Sequence, residues 1–103
     1  MAENGNFPVN EYIIDTNQGA KLVHYIGTFG NVKALKTFMM KFDLDVTQTD
    51  KNGCTLIHYA ARRGELAMLQ YLRELGKENG VDLEMENTYG MTPIVYAMMN
   101  NQV

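Results

Sequence analysis

Tryptophan is absent from the 103 residues, cysteine occurs once and proline twice. The single cysteine, Cys54, excludes an intrachain disulfide and points to a reducing intracellular compartment, cytoplasmic or nuclear. Positive charge is not in excess. Nine Lys and Arg against twelve Asp and Glu leave a net charge of −3. That balance argues against a general nucleic-acid binder, whose affinity comes mostly from neutralising phosphates. The longest apolar run, Ile94–Met99, is far shorter than the ~20 residues a bilayer span needs, so direct membrane insertion is not expected. Met1–Asn10 is polar, with neither a basic n-region nor an apolar h-region, and no secretory leader is expected. Hydrophobic residues make up 46% and charged residues 20%, the balance of a globular chain with one modest core.

What the chain does have is internal repetition. Gly53-Cys54-Thr55-Leu56-Ile57-His58-Tyr59-Ala60 opens a block that reaches Gly64 and continues through Leu66, Leu69, Leu72 and Leu75. Beginning 34 residues earlier, Gly19-Ala20-Lys21-Leu22-Val23-His24-Tyr25-Ile26 leads to Gly30, Val32, Leu35 and Phe38. A third block begins 37 residues later with Gly90-Met91-Thr92-Pro93-Ile94-Val95-Tyr96-Ala97. The connection Gly76–Gly80, with two glycines, is the place to absorb the three extra residues. Asp45–Gly53 and Asp82–Gly90 run in the same register, and Glu11–Gly19 fits that frame more loosely.

Each block reads as a turn, a short helix, a tight link and a second helix. Thr55 and Thr92 stand where an N-cap hydroxyl takes up orphan helix N–H groups, and Pro93 follows at the first helical position, where its missing N–H costs nothing. Gly30 and Gly64 supply the left-handed residue that ends the first helix, and Asn101 holds that place in the third block. Leu66, Leu69, Leu72 and Leu75 form one apolar stripe on an otherwise polar second helix. One such block cannot bury its own stripe, and stacking on a neighbour is the remedy.

This pattern resembles the ankyrin repeat, a β-turn and two antiparallel helices with a Thr-Pro-Leu-His-x-Ala signature. Asp50–Leu72 is the best match, with Leu56 for Pro and Ile57 for Leu. The third block keeps Thr92 and Pro93 but has Val95 for His; the first keeps His24, with Lys21, Leu22 and Ile26 for Thr, Pro and Ala. The resemblance covers about residues 11 to 103 and implies one all-α domain, an ankyrin-repeat solenoid of stacked helix pairs with projecting β-turn fingers. The repeats fall at approximately 17–49, 50–86 and an incomplete 87–103. The third stops at Val103, where its second helix is due, leaving Ile94, Val95, Met98 and Met99 without their covering helix. The expectation is a segment of a longer protein, with an open end that meets another molecule, or a second copy of the chain, as the alternative.

The resemblance further implies a non-enzymatic protein–protein interaction module without a cofactor or metal, binding a protein or peptide on a concave surface of finger tips and first-helix ends. The family's variable finger positions map to Asn17, Gln18 and Ala20, to Lys51, Asn52 and Cys54, and to Thr88, Tyr89 and Met91. The helix ends add Thr28, Phe29, Arg62, Arg63, Met99 and Asn100. Tyr89 and Arg62 or Arg63 stand out because Tyr and Arg dominate interface energetics. A regulatory or substrate-recruiting segment of a larger protein, such as a palmitoyltransferase, is the alternative by fold-level analogy.

Other chemistry is weakly supported. His24 and His58 occupy equivalent places one repeat apart, too far to share a metal ion that needs ligands within ~2 Å, so each is expected to bond backbone groups of its own and the adjacent turn. Cys54 and His58 lie four apart, the spacing of a thiol–imidazole dyad, but Cys54 precedes the Thr55 cap and no orienting residue accompanies the pair. Tyr25, Tyr59 and Tyr96 form a ladder expected to be core, with an aromatic strip in the binding groove as the alternative. The eight methionines are expected to fill gaps between helices, apart from Met98 and Met99 at the open end. The expected core comprises Leu22, Val23, Ile26, Val32, Leu35, Phe38, Ile57, Ala60, Ala61, Leu66, Leu69, Leu72, Ile94 and Ala97.

Overall fold

The computed structural model describes residues 9–11 and 13–100, with the side chain of Asn100 excepted. The expected helix end at Asn101 therefore lies outside the described residues. Among the described residues, five α-helices form two rows. α1 (Leu22–Phe29), α3 (Leu56–Arg63) and α5 (Pro93–Asn100) pack side by side, and α2 (Val32–Phe42) packs on α4 (Leu66–Leu75) behind them. Two short antiparallel strands, β1 (Ile13–Asp15) and β2 (Ala20–Lys21), form the first finger, with Ile13 opposite Lys21 and Asp15 opposite Ala20.

Local chemistry sets the helix ends. Thr55 Oγ1 accepts the Ile57 N–H at 3.2 Å, while the Thr55 N–H donates to His58 Nδ1 at 3.0 Å, a reciprocal cap in which imidazole takes the place of the usual Glu or Gln. α1 and α3 end at Gly30 (φ 65°) and Gly64 (φ 71°), both left-handed, as the sequence requires. α2 starts on Asn31, whose side chain accepts the Ala34 N–H at 2.9 Å. The connection Gly76–Gly80 carries a single 3₁₀ turn over Lys77–Asn79 that absorbs the longer repeat.

The main core joins Val23, Ile26, Leu35, Leu56, Ile57, Ala60, Met68 and Leu72, closed below by Leu44, Val46 and Val81. Leu22, Val32, Phe38 and Leu69 pack against it half-buried. Gly27 brings α1 close to α3, since a Cβ there would lie 2.7 Å from the Leu56 carbonyl oxygen. A smaller cluster of Ala20, Cys54 and Tyr59, flanked by Tyr25 and Tyr96, lies beneath the fingers. Tyr59 is thus core, and the other two ladder tyrosines stand at its border.

Two expected core residues are on the surface. Leu66 is 76% exposed and Ile94 63%. Their repeat counterparts Val32 and Ile57 are covered by the following unit, whereas no described element packs on the far side of α4 and α5. Met68 and Leu56, fully buried, take the central positions instead.

Candidate interaction surface

The fingers are built on an acceptor at their base. Asp50 Oδ1 accepts the N–H groups of Asn52 (2.8 Å) and Cys54 (2.9 Å), and Asn87 Oδ1 accepts those of Tyr89 (2.9 Å) and Met91 (3.0 Å). Each residue also grips the tyrosine of its own first helix: Tyr59 Oη donates to Asp50 Oδ2 at 2.5 Å, and Asn87 Nδ2 donates to Tyr96 Oη at 2.9 Å. Burial and the neighbouring Asp50 carboxylate push the Tyr59 hydroxyl far above its ordinary pKa, so it stays a donor. Adjacent fingers are laced by backbone, Lys51 N–H to Gln18 C=O at 2.8 Å and Thr88 N–H to Asn52 C=O at 2.9 Å.

The histidines lock one repeat to the next. His24 Nδ1 accepts the Lys21 N–H at 2.9 Å, which leaves the ring proton on Nε2 to meet the Gln48 carbonyl at 3.3 Å. His58 repeats the arrangement, with Nδ1 on Thr55 and Nε2 on the Met91 carbonyl at 3.0 Å. Both imidazoles are fully buried, and desolvation lowers their pKa despite opposing carbonyl and Asp50 contributions. With both ring nitrogens engaged by backbone, neither histidine presents a free metal-binding face. Nor does His58 pair with Cys54, whose Sγ instead faces Asn87 Nδ2 at 3.4 Å and Tyr96 Oη at 3.8 Å.

The positions expected to bind a partner divide into three groups. Tyr89 (68% exposed), Thr88, Lys51, Arg63, Phe29 and Met99 are exposed, as are Asn17 and Gln18. Asn52, Arg62, Met91 and Thr28 are half-buried. Cys54 and Ala20, each 1% exposed, are covered by the tyrosine cluster and are removed from the candidate surface. The reason is geometric: both stand where the finger returns to its helix, facing inward between repeats. Asn100 is the last residue of α5, and its side chain lies outside the described part.

Arg62 could not be placed from sequence. Its guanidinium carbon lies 5.0 Å from the Tyr59 ring centre and 4.9 Å from that of Tyr96, so one arginine spans the aromatic ladder of two repeats. With Arg63 it borders a cleft of about 280 Å³ between the first and second repeats, also lined by Asp15, Gln18, Tyr25 and Thr28. A larger apolar groove of about 520 Å³ runs between α4 and α5. Its α4 wall is formed by Leu66, Leu69, Gln70 and Arg73, the repeat counterparts of Val32, Leu35, Lys36 and Met39 on α2.

With this geometry in place, the relatives are informative. The family model for ankyrin repeats (3 copies) matches residues 1–81 and again 22–103. The chain belongs to the ankyrin-repeat family. Ankyrin repeats are in general protein–protein interaction modules and typically carry no enzymatic activity. Mouse (Mus musculus) synphilin-1 is similar at 31% identity over 75 residues, covering 70% of this chain but only 7% of synphilin-1. Among solved structures, a chain from the complex of the Bdellovibrio bacteriovorus predatory endopeptidase Bd0816 with immunity protein Bd3460 superposes with a TM-score of 0.66 and 28% identity, over 80% of this ankyrin chain and 40% of its own length. No helix among the described residues is long and apolar enough to cross a membrane.

Proposed function

We propose that this chain is a non-enzymatic adaptor that takes a protein or peptide partner on the face formed by its finger tips and the ends of its first helices. The observation carrying this reading is the separation of duties within each finger. Backbone groups, Asp50 and Asn87 hold the loops in place, while Phe29 and Arg63 lie exposed beside them and the exposed Thr88 and Tyr89 side chains each add one hydrogen bond to Asn52 of the preceding finger. An aromatic side chain such as Tyr89 offers a large contact area at low conformational-entropy cost, and a finger already held by its backbone needs little further ordering on binding. The solved relative is itself described as part of a complex between two proteins, which agrees with such a role. A buried free thiol at Cys54 suits a reducing compartment, the cytoplasm or nucleus.

Site-specific photocrosslinking tests the assignment. A crosslinker at position 89 is expected to capture a partner in cells, while one at Met40, 84% exposed on α2 behind the first helices, is not. Capture from position 40 alone would move the binding face to the opposite side of the stack.

A further inference from the structure

We propose that the groove between α4 and α5 receives an amphipathic α-helix of a partner protein, on a surface separate from the finger tips. The chain already contains one such contact. One repeat earlier, α4 packs on α2 and α3, buries Met68 and Leu72 completely and sets Tyr71 and Leu75 beside them. Tyr71 faces α2, where the Lys36 ammonium lies 5.1 Å from its ring centre. These four residues stand at i, i+3, i+4 and i+7, the spacing by which an apolar helix face enters a groove. Helices α4 and α5 repeat the two walls, with Leu66 and Leu69 on one side and Pro93, Ile94 and Ala97 on the other, around about 520 Å³. No residue of α5 is charged, and Arg73 is the one charged residue lining the groove, so what seats there must be chiefly apolar.

Two departures in the third repeat argue against a further ankyrin unit as the occupant. His24 and His58 each bind a carbonyl of the following finger, but their counterpart on α5 is Val95, whose side chain has no hydrogen-bonding group. First helices approach closely through Gly27 on α1, and buried Ala61 holds the matching place on α3. Their counterpart on α5 is Met98, 66% exposed, so a next first helix would meet a long side chain where the internal junctions have a hydrogen or a methyl. The finger lock and the close approach are both missing from this face, while the groove for a second-row helix is kept. A second copy does not fit either. In a folded copy the Met68–Leu72 face of α4 is buried in its own core, so it is not free to enter the groove.

A side-chain-bridged helical peptide with the sequence of residues 65–76 is the probe, since that sequence already fits the equivalent groove. It is expected to bind the intact chain and to shift the methyl resonances of Leu66, Ile94 and Ala97, whereas a scrambled peptide of the same composition is not. Leu66→Gln and Ile94→Gln, at exposed positions, should each weaken binding about tenfold or more with unchanged circular dichroism. In cells, a photocrosslinker at position 66 should join the chain to a different protein, at a helical segment with apolar residues at i, i+3, i+4 and i+7. Equal binding of the scrambled peptide, binding indifferent to both substitutions, or no binding overturns the helix groove. A crosslink to a second copy, within the chain itself, or to a segment without that spacing overturns the partner helix. The finger-tip face is tested by the crosslinker at position 89 and is unaffected by these results.

Discussion

The His58 imidazole donates from Nε2 to the Met91 carbonyl at 3.0 Å, so a side chain of one repeat terminates the finger of the next. His24 makes the corresponding bond to Gln48, and in each ring the opposite nitrogen must accept a backbone N–H. Protonation would replace that acceptor with a second donor pointed at an N–H group.

Stability should therefore depend on pH in a defined direction. Both imidazoles have folded-state pKa values below the ordinary 6.5, with burial the leading cause. The unfolded chain then binds more protons than the folded one as the solution becomes acidic. The histidine contribution is fully present above about pH 6.5 and falls away as pH drops from there through the lowered folded value. Urea midpoints measured from pH 8 to pH 5 should be flat at first and decline below about 6.5. His58→Gln should lessen the slope, since its amide does not titrate. An unchanged slope in that variant would assign the acid sensitivity to other groups.

Tyr59→Phe removes the donor to Asp50 while leaving the ring in place. A buried hydrogen bond to a charged acceptor contributes about 1.5–3 kcal/mol, and a loss of that size is expected by urea denaturation. A change below ~0.5 kcal/mol would show that the finger amides alone suffice for the Asp50 carboxylate.

Gly27→Ala inverts the usual helix rule. Alanine normally stabilises a helix interior relative to glycine, by roughly 0.5–1 kcal/mol. Here the added methyl meets the Leu56 carbonyl oxygen at 2.7 Å, and the two helices must move apart. Destabilisation of about 1–3 kcal/mol is expected, read as a lower melting temperature.

Leu66 and Met68 provide a paired test of the core. Leu66→Gln, at a position 76% exposed, should change stability by less than ~0.5 kcal/mol, whereas Met68→Ala, fully buried, should cost about 2–4 kcal/mol. Comparable losses at both would mean that α4 presents a different face to the core.

For the interaction surface, Tyr89→Ala and Arg63→Glu should each weaken binding of a captured partner by about 1–2 kcal/mol, measured by calorimetry, with unchanged far-ultraviolet circular dichroism. Thermal collapse in either variant would make that residue part of the framework.

Much of this architecture could be read from the sequence because its signals are local. Gly30, Gly64, Thr55 and Pro93 mark helix ends through backbone geometry that few other residues allow, and the repeat spacing aligns the units. Burial along a helix or loop is less local. A stripe such as Leu66-Leu69-Leu72 shows which face of a helix is apolar but not how far along it a neighbour extends, so the spacing points inward at Leu66 and Ile94, which are exposed, and does not single out Met68 and Leu56, which are buried. Cys54 belongs to the finger by its position in the repeat, yet it is buried because the loop turns back within four residues, a change of direction that spacing does not record. The Arg62 contacts with Tyr59 and Tyr96 join residues of separate repeats, and only the stacked arrangement brings them together.

The lacing of adjacent fingers through Lys51 with Gln18 and Thr88 with Asn52 uses main-chain atoms, which every non-proline residue possesses. Substitutions at the outward side chains of the tips accordingly alter what is recognised while those main-chain bonds stay, and they remove at most the added side-chain bonds of Lys51 to Thr16 and of Thr88 and Tyr89 to Asn52. Evolution or a protein engineer can rewrite the reading head of this scaffold one letter at a time, while the spacing between letters stays fixed.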